Sequence, residues 1–415
     1  MRSIYSIIIS IVQAILPLSG IFSSKMKLFV KGRKVVFSIL KERIQPQDRI
    51  IWFHAASLGE YEQGVPVMEE IIKRYPEHQL VITFFSPSGY EIKKNNAFAK
   101  ATTYLPLDTP SNARRFIDLV HPELVFFIKY EFWPNYLTEL KSRNIKTVLL
   151  SGVFRNNQPF FKWYGKWMTK SLDAFDHFFL QDNASAMAAK TLQLQSVTIS
   201  GDTRFDRVSR QIEMDNTLDF VTDFKANNLC VVCGSTWQED ENVLVSFINN
   251  NEGVSKFIIA PHQIKLEKIK SLQEKLKVKT VLFSEKEGKN LATYDVLIID
   301  TIGLLTKIYS YADVAYVGGA MGTTGLHNIL EPATFGVPIV IGTHFEKFPE
   351  AKRLQQLAGL YTVANQEELN KILNKLLFDQ KFRTQTGMIA GHFINSNTGA
   401  TRTVMEYLTT VHELG

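Results

Sequence analysis

Cysteine is nearly missing from this chain: Cys230 and Cys233 are the only two among 415 residues. No disulfide framework holds such a fold, and a reducing, cytosolic setting is the natural reading. Their CxxC spacing is that of redox and zinc motifs, yet it stands alone in the apolar run 229–233 and reads as buried strand. GxGxxG is absent from both first βα turns, which weakens a dinucleotide-dependent oxidoreductase, because a pyrophosphate needs bare glycine backbone there. GxxxxGK followed by Ser or Thr is absent too, which argues against a P-loop nucleotidase. The nine histidines form no cluster with acidic residues at ligand spacing, so neither metal nor cofactor is expected. Repeats and low-complexity tracts are lacking. With 45% apolar and 21% charged residues the chain can bury a sizeable core, and its length favours two domains.

What is there is an excess of positive charge, +6, which implies an acidic partner: nucleic acid, anionic lipid or a phosphorylated substrate. Its placement favours lipid over nucleic acid. Lys25, Lys27, Lys31, Arg33, Lys34, Lys41 and Arg43 directly follow the most apolar stretch, 4–22, which carries no charge and is interrupted by Gln13 and Pro17. That stretch is barely long enough to span a bilayer, so it either anchors in the interface or spans marginally. A cleavable signal peptide ranks second, since only Arg2 precedes the stretch and no small-x-small site follows. Either membrane reading puts the body at an anionic membrane surface on the cytoplasmic side.

From residue 49 onward, short β-branched runs alternate with helical patterns, the signature of parallel sheets built from βα units. One series has expected strands at 50–54, 80–85, 124–129, 147–151, 177–181 and 197–200. A polar stretch, 211–228, separates it from a second series at 229–233, 256–260, 280–283, 296–300, 314–317 and 338–341. The expected fold is α/β: two Rossmann-like domains facing a central cleft, plus an N-terminal membrane-anchoring helix. The expected divisions are 1–35, anchor and basic flank; 36–215, first Rossmann-like domain; 216–395, second Rossmann-like domain; and 396–415, a terminal helix.

Two segments carry the chemistry. In 54–64 (HAASLGEYEQG) small residues follow a strand, and Glu60 falls at or near the start of the next helix. Helix N-terminal N–H groups keep such a carboxylate ionised, as a general base requires, although a plain first-turn glutamate fits equally well. In 318–332 (GGAMGTTGLHNILEP) a glycine-rich loop leads to Asn328, expected to open a helix with Glu331 three residues on, either a capping box or an anion site with a sugar contact. Gly234, Ser235 and Thr236 end one strand, where hydroxyls cap a helix or bind phosphate. Pro261 and His262 end the next, and the histidine reads as a base or phosphate contact or as an ordinary loop residue.

With these segments stand SPSG at 86–89, YLPLDTP at 104–110, EFWPN at 131–135, GST at 234–236 and NILE at 328–331. Together, in this order, they resemble the 3-deoxy-D-manno-octulosonic acid (Kdo) transferases of lipopolysaccharide synthesis over nearly the whole chain. The resemblance implies a GT-B fold, in which 36–215 is the acceptor domain, 216–395 the donor domain and the terminal helix 396–415 crosses back to the first. It implies Glu60 as catalytic base, CMP-Kdo as donor and a tetra-acylated lipid A precursor as acceptor, at the cytoplasmic face of the inner membrane. It also implies donor contacts at Pro261, His262, Ile302, Gly303, Leu304, Asn328, Ile329, Leu330 and Glu331, with Gly234, Ser235 and Thr236 as a further donor loop. The family often has Arg where His262 stands and Glu where Leu304 stands. Another GT-B nucleotide-sugar enzyme, a transferase for a different sugar or an epimerase, is the alternative.

Overall fold

The computed structural model describes residues 1–19, 23–251 and 253–411. Gly20, Ile21 and Phe22, which end the expected apolar stretch, and residues 412–415 of the expected terminal segment lie outside them. The chain divides into two units, Met1–Arg207 with Thr398–Gly415, and Val208–Asn397.

The first unit is built on β1 (Arg49–Ala55), β2 (His78–Phe84), β3 (Ala99–Tyr104), β4 (Pro122–Ile128), β5 (Lys146–Gly152), β6 (His177–Leu180) and β7 (Val197–Ile199). All seven form one parallel sheet in the order β3-β2-β1-β4-β5-β6-β7. Parallel strands covered on both faces read as unbroken apolar runs, and Ile50, Ile51, Trp52 and Phe53 are all fully buried. One face packs Trp52, Val125, Phe127 and Leu149 into a core. The other packs Ile51, Phe53, Phe126 and Leu150 with Val404, Met405 and Leu408 of the last helix, Ala400–Val411. Strand order reverses between β1 and β4, so the loops after these two strands flank the switch point, where open α/β sheets bind ligands.

The second unit repeats the plan with β8 (Cys230–Thr236), β9 (Lys256–Pro261), β10 (Thr280–Leu282), β11 (Val296–Ile298), β12 (Val314–Val317), β13 (Ile339–Ile341) and β14 (Leu360–Thr362), in the parallel order β10-β11-β9-β8-β12-β13-β14. Its switch point lies between β8 and β12. Cys230 and Cys233 are buried, unpaired strand residues.

Two strands were not expected. β3 (AKATTY) has no apolar run, although its last four residues are buried, and β14 is three residues long; both lie at sheet edges. The polar stretch 211–228 is not a free linker. The division falls at Arg207/Val208, and within the stretch the helix Asp219–Lys225 buries Val221 and Phe224.

Before the first sheet come helices α1 (Arg2–Ser19), α2 (Ser24–Lys34) and α3 (Val36–Arg43). Among the described residues no helix is long and apolar enough to cross a membrane. α1 is tied along its length to the first unit: Arg2 Nε and Ser6 Oγ donate to Asn135 Oδ1, Tyr5 Oη donates to Asp108 Oδ2 at 2.9 Å, and Asn112 Nδ2 donates to Gln13 Oε1. Ile4, Ile7, Ile8, Ile11, Ile15 and Leu18 are left exposed. Arg33, counted with the basic flank, turns inward instead. It lies 3.6 Å over the Phe29 ring and donates to the carbonyls of Phe85 and Leu105.

Candidate active site

The chain leaves β1 through Ala56 and Ser57 and enters helix α4 (Leu58–Arg74), whose N-cap is Ser57. Tyr61, Val67, Met68 and Ile71 bury the inner face of α4, and Gly64 lets it close on β4: a Cβ there would stand 2.6 Å from Ile128 Cδ1. The SPSG loop holds this turn from one side, with Ser86 N donating to Ala56 O at 2.8 Å. Gly89 is needed for that approach, since its Cβ would lie 3.0 Å from the Ser57 carbonyl carbon.

Glu60 therefore sits in the first turn of α4, at the switch point, only 6% exposed. Its Oε2 accepts from Ser57 Oγ and its Oε1 from Lys129 Nζ at 3.2 Å. Burial opposes ionisation, but the Lys129 ammonium and the hydrogen bonds from Ser57 and Lys129 outweigh it, so the carboxyl sits below its ordinary range. At neutral pH it is a carboxylate. Its partners come from helix and strand ends rather than from loop tips, which fixes the direction in which it faces.

Lys129 directly follows the last residue of β4, on the other side of the switch point, and adopts a left-handed backbone, φ +73°. For a residue with a Cβ this conformation costs about 1–2 kcal/mol. Two backbone bonds hold it: Lys129 N donates to Leu150 O, and Val153 N donates to Lys129 O. Two residues on, buried Glu131 lies 3.4 Å from His54 Nε2 and accepts from Trp133 Nε1 at 3.1 Å, while His54 Nδ1 meets Thr83 Oγ1 at 2.9 Å. Sequence reasoning does not single out Lys129. The available signal is a lysine directly after the apolar run 124–128.

In the second unit, the expected donor residues gather at the carboxyl ends of β8, β9, β11 and β12. Gly318 N donates to Gly234 O, and His262 N donates to Thr236 O, both at 2.9 Å. Neither glycine tolerates a side chain: a Cβ would meet Tyr309 Oη at 1.9 Å from Gly234, and Ser235 O at 2.5 Å from Gly318. Ser235 itself has φ +54°. His262 stacks on Trp237, centroids 4.6 Å apart, and lies 4.5 Å from His327, whose Nε2 accepts from Trp237 Nε1 at 3.1 Å. Burial, and then His262, push the His327 pKa down to about 4, so it is neutral at pH 7. Trp237 and His327 are not found from sequence, although each stands next to a glycine turn that is.

The remaining donor candidates divide by what they expose. Ile302 is 88% exposed and Gly303 has φ +97° with open space around it, while Leu304 is half-buried. Glu331 accepts from Thr306 Oγ1 and from Asn328 Nδ2, each at 3.0 Å, and the first of these bonds joins the short helix Leu305–Ile308, after β11, to the helix Leu330–Thr334, after β12. Ile329 and Leu330 are buried, so only their backbone can face a ligand. Asn328 does not open the helix. The N-cap is Ile329, and the helix Leu330–Thr334 has five residues. So short a helix carries little of the aligned dipole expected for anion binding, which leaves loop N–H groups to do that work.

The sequence model of a family described as 3-deoxy-D-manno-octulosonic-acid transferase (kdotransferase) matches residues 33–207. The chain is 29% identical over 385 residues to the 3-deoxy-D-manno-octulosonic acid transferase of Haemophilus influenzae, covering 88% of this chain and 87% of that one. It is 28% identical over 351 residues to that of Aquifex aeolicus, covering 82% and 90%. Among solved structures it is similar to a UDP-GlcNAc 2-epimerase from Neisseria meningitidis, TM-score 0.62 and 12% identity over 87% of this chain and all of that one. It is also similar to MurG from Acinetobacter baumannii, TM-score 0.55 and 12% identity over 88% and 100%. These two likenesses show the fold, two parallel-sheet α/β domains of GT-B type.

Proposed function

The chain belongs to the Kdo transferases of lipopolysaccharide synthesis, and from that premise we propose that it moves Kdo from CMP-Kdo onto a tetra-acylated lipid A precursor, with Glu60 as general base. The observation that carries this reading is the state of Glu60: a buried carboxylate held ionised by Lys129 at the switch point of its sheet. Glu60 takes the proton of the acceptor's primary hydroxyl as that oxygen bonds to the anomeric carbon of Kdo. The bond from that carbon to the phosphate oxygen breaks, and CMP leaves with the electron pair. One displacement inverts the anomeric centre. Lys129 does not touch the reacting atoms; it keeps the base deprotonated.

The donor is held by the second unit, at Pro261 and His262, Ile302 to Leu304, Asn328 to Glu331 and the Gly234 to Thr236 turn. Loop N–H groups stabilise the departing monophosphate, and no metal is needed for its charge. The acceptor is reached from the membrane. α1, about 27 Å long at 1.5 Å per residue, falls short of the ~30 Å hydrocarbon core. A helix bonded to the body from Arg2 to Gln13 lies along the cytoplasmic face of the inner membrane rather than through it. Exposed Lys27, Lys31, Lys34, Lys41 and Arg43 then meet headgroup and acceptor phosphates.

Incubating purified chain with CMP-Kdo and the precursor tests the reaction. The lipid should gain the mass of Kdo, and CMP should appear only when both substrates are present. CMP release indifferent to lipid, with no heavier lipid formed, would exclude transfer.

A further inference from the structure

The segment 159–170 (PFFKWYGKWMTK) is not used by this chemistry, yet it is built rather than slack. Phe160 is buried in the first unit's core, with Phe161 and Met168 packed against it. Lys162 N donates to Pro159 O, Gly165 N to Lys162 O and Met168 N to Gly165 O, all within 3.0 Å. The turn is so tight that a Cβ on Gly165 would fall 1.9 Å from Pro159 O.

This rigid turn presents two large rings to solvent. Trp163 is 84% exposed and Tyr164 48% exposed, their centroids 5.8 Å apart. Lys162, Lys166 and Lys170 surround them, all exposed, and no acidic residue occurs between Arg155 and Leu172. Tryptophan and tyrosine interleaved with lysine suit a bilayer interface, where the ring body enters the acyl boundary and the ammonium meets phosphate. The patch is continuous with α1, because Trp167 on the same turn lies 5.4 Å from Tyr5.

We propose that the 161–170 turn is a second membrane contact, beside α1, whose occupant is the headgroup layer of an anionic bilayer. Two contacts fix the rotation of the first unit on the membrane, which one amphipathic helix does not.

Sedimentation of the full chain with vesicles tests this. Phosphatidylcholine vesicles, with and without phosphatidylglycerol, separate the apolar and charged parts. The doubly substituted Trp163→Ser, Tyr164→Ser chain should partition roughly tenfold less onto both kinds. Lys162→Gln with Lys166→Gln and Lys170→Gln should remove only the preference for phosphatidylglycerol. Brominated lipid should quench the bound wild-type chain more than Trp163→Phe. All should keep wild-type turnover on detergent-dispersed acceptor, which shows that they fold. Ile7→Ser with Ile11→Ser tests α1 separately: release by this variant while the turn variants bind normally would overturn the proposal and leave α1 standing. Release by the turn variants alone would do the reverse. A wild-type chain that binds neither kind of vesicle would overturn both. So would lipid-independent self-association that is lost in the Trp163→Ser, Tyr164→Ser chain, since it would make the turn a protein contact.

Discussion

At the level of single residues, the site rests on Glu60 and on the lysine that pairs with it. Glu60 stands in a recognisable pattern of small residues between strand and helix. Lys129 lies 69 positions away in sequence, and only the sheet order, which sets β4 beside β1, brings it to the carboxylate. The consequence is a pH effect of definite sign. Because Lys129 lowers the Glu60 pKa, the acid limb of kcat/KM should lie below that of an ordinary glutamate. Lys129→Met should move it to higher pH, and Lys129→Arg should restore most of the difference. A pH profile of the three chains decides, and an unmoved limb in Lys129→Met would detach Lys129 from the base. In the second unit, Gly234→Ala should force Tyr309 out of place, costing roughly 1–3 kcal/mol in thermal unfolding. The same melt at wild-type temperature would show that the turn has room.

Elements are legible where a run of apolar residues marks them. The central strands of both sheets are apolar runs that hardly admit another reading, whereas β3 and β14, at the edges, are polar or short and were missed. α4 begins at Leu58 with Ser57 at its N-cap position, which puts Glu60 in the first turn, as its place just after the small-residue turn suggests. The joint between α1 and the body is a further element-level feature invisible in sequence. Asp108, in the YLPLDTP stretch, accepts from Tyr5 Oη and from the backbone N–H groups of Asn135 and Tyr136 at the start of the helix Pro134–Ser142. Burial raises its pKa to about 6 despite these bonds. A carboxyl raised above its unfolded value of about 3.9 favours the folded state most when protonated. Its contribution is present below about pH 4 and is lost as pH rises through about 6, on the order of 3 kcal/mol in all. The stability of wild type relative to Asp108→Asn should therefore fall between these pH values in chemical denaturation, and a constant difference would count against a buried titration there.

For the molecule as a whole, the two-domain α/β class followed from two series of strands, while the return of the chain's end to the first unit was implied by the family resemblance and not by any pattern in the residues themselves. Thr398 onward belongs with Met1–Arg207. Asp206 clasps the return by accepting from Gly399 N, Thr401 N and Thr401 Oγ1 at 2.6–2.8 Å. Leu408, fully buried against the first sheet's core, should cost about 2–5 kcal/mol on truncation to Ala. Unfolding followed through the first unit reads that loss, and an unchanged midpoint would deny the last helix a place in its core. All of the chemistry, however, depends on one carboxylate. Turnover of Glu60→Gln, at a pH well above the wild-type acid limb and with the melting temperature checked, probes it directly. Loss of roughly 10²–10⁴ in kcat with folding intact is the expected result; transfer to the lipid at a rate near wild type would contradict the assignment of Glu60 as the base.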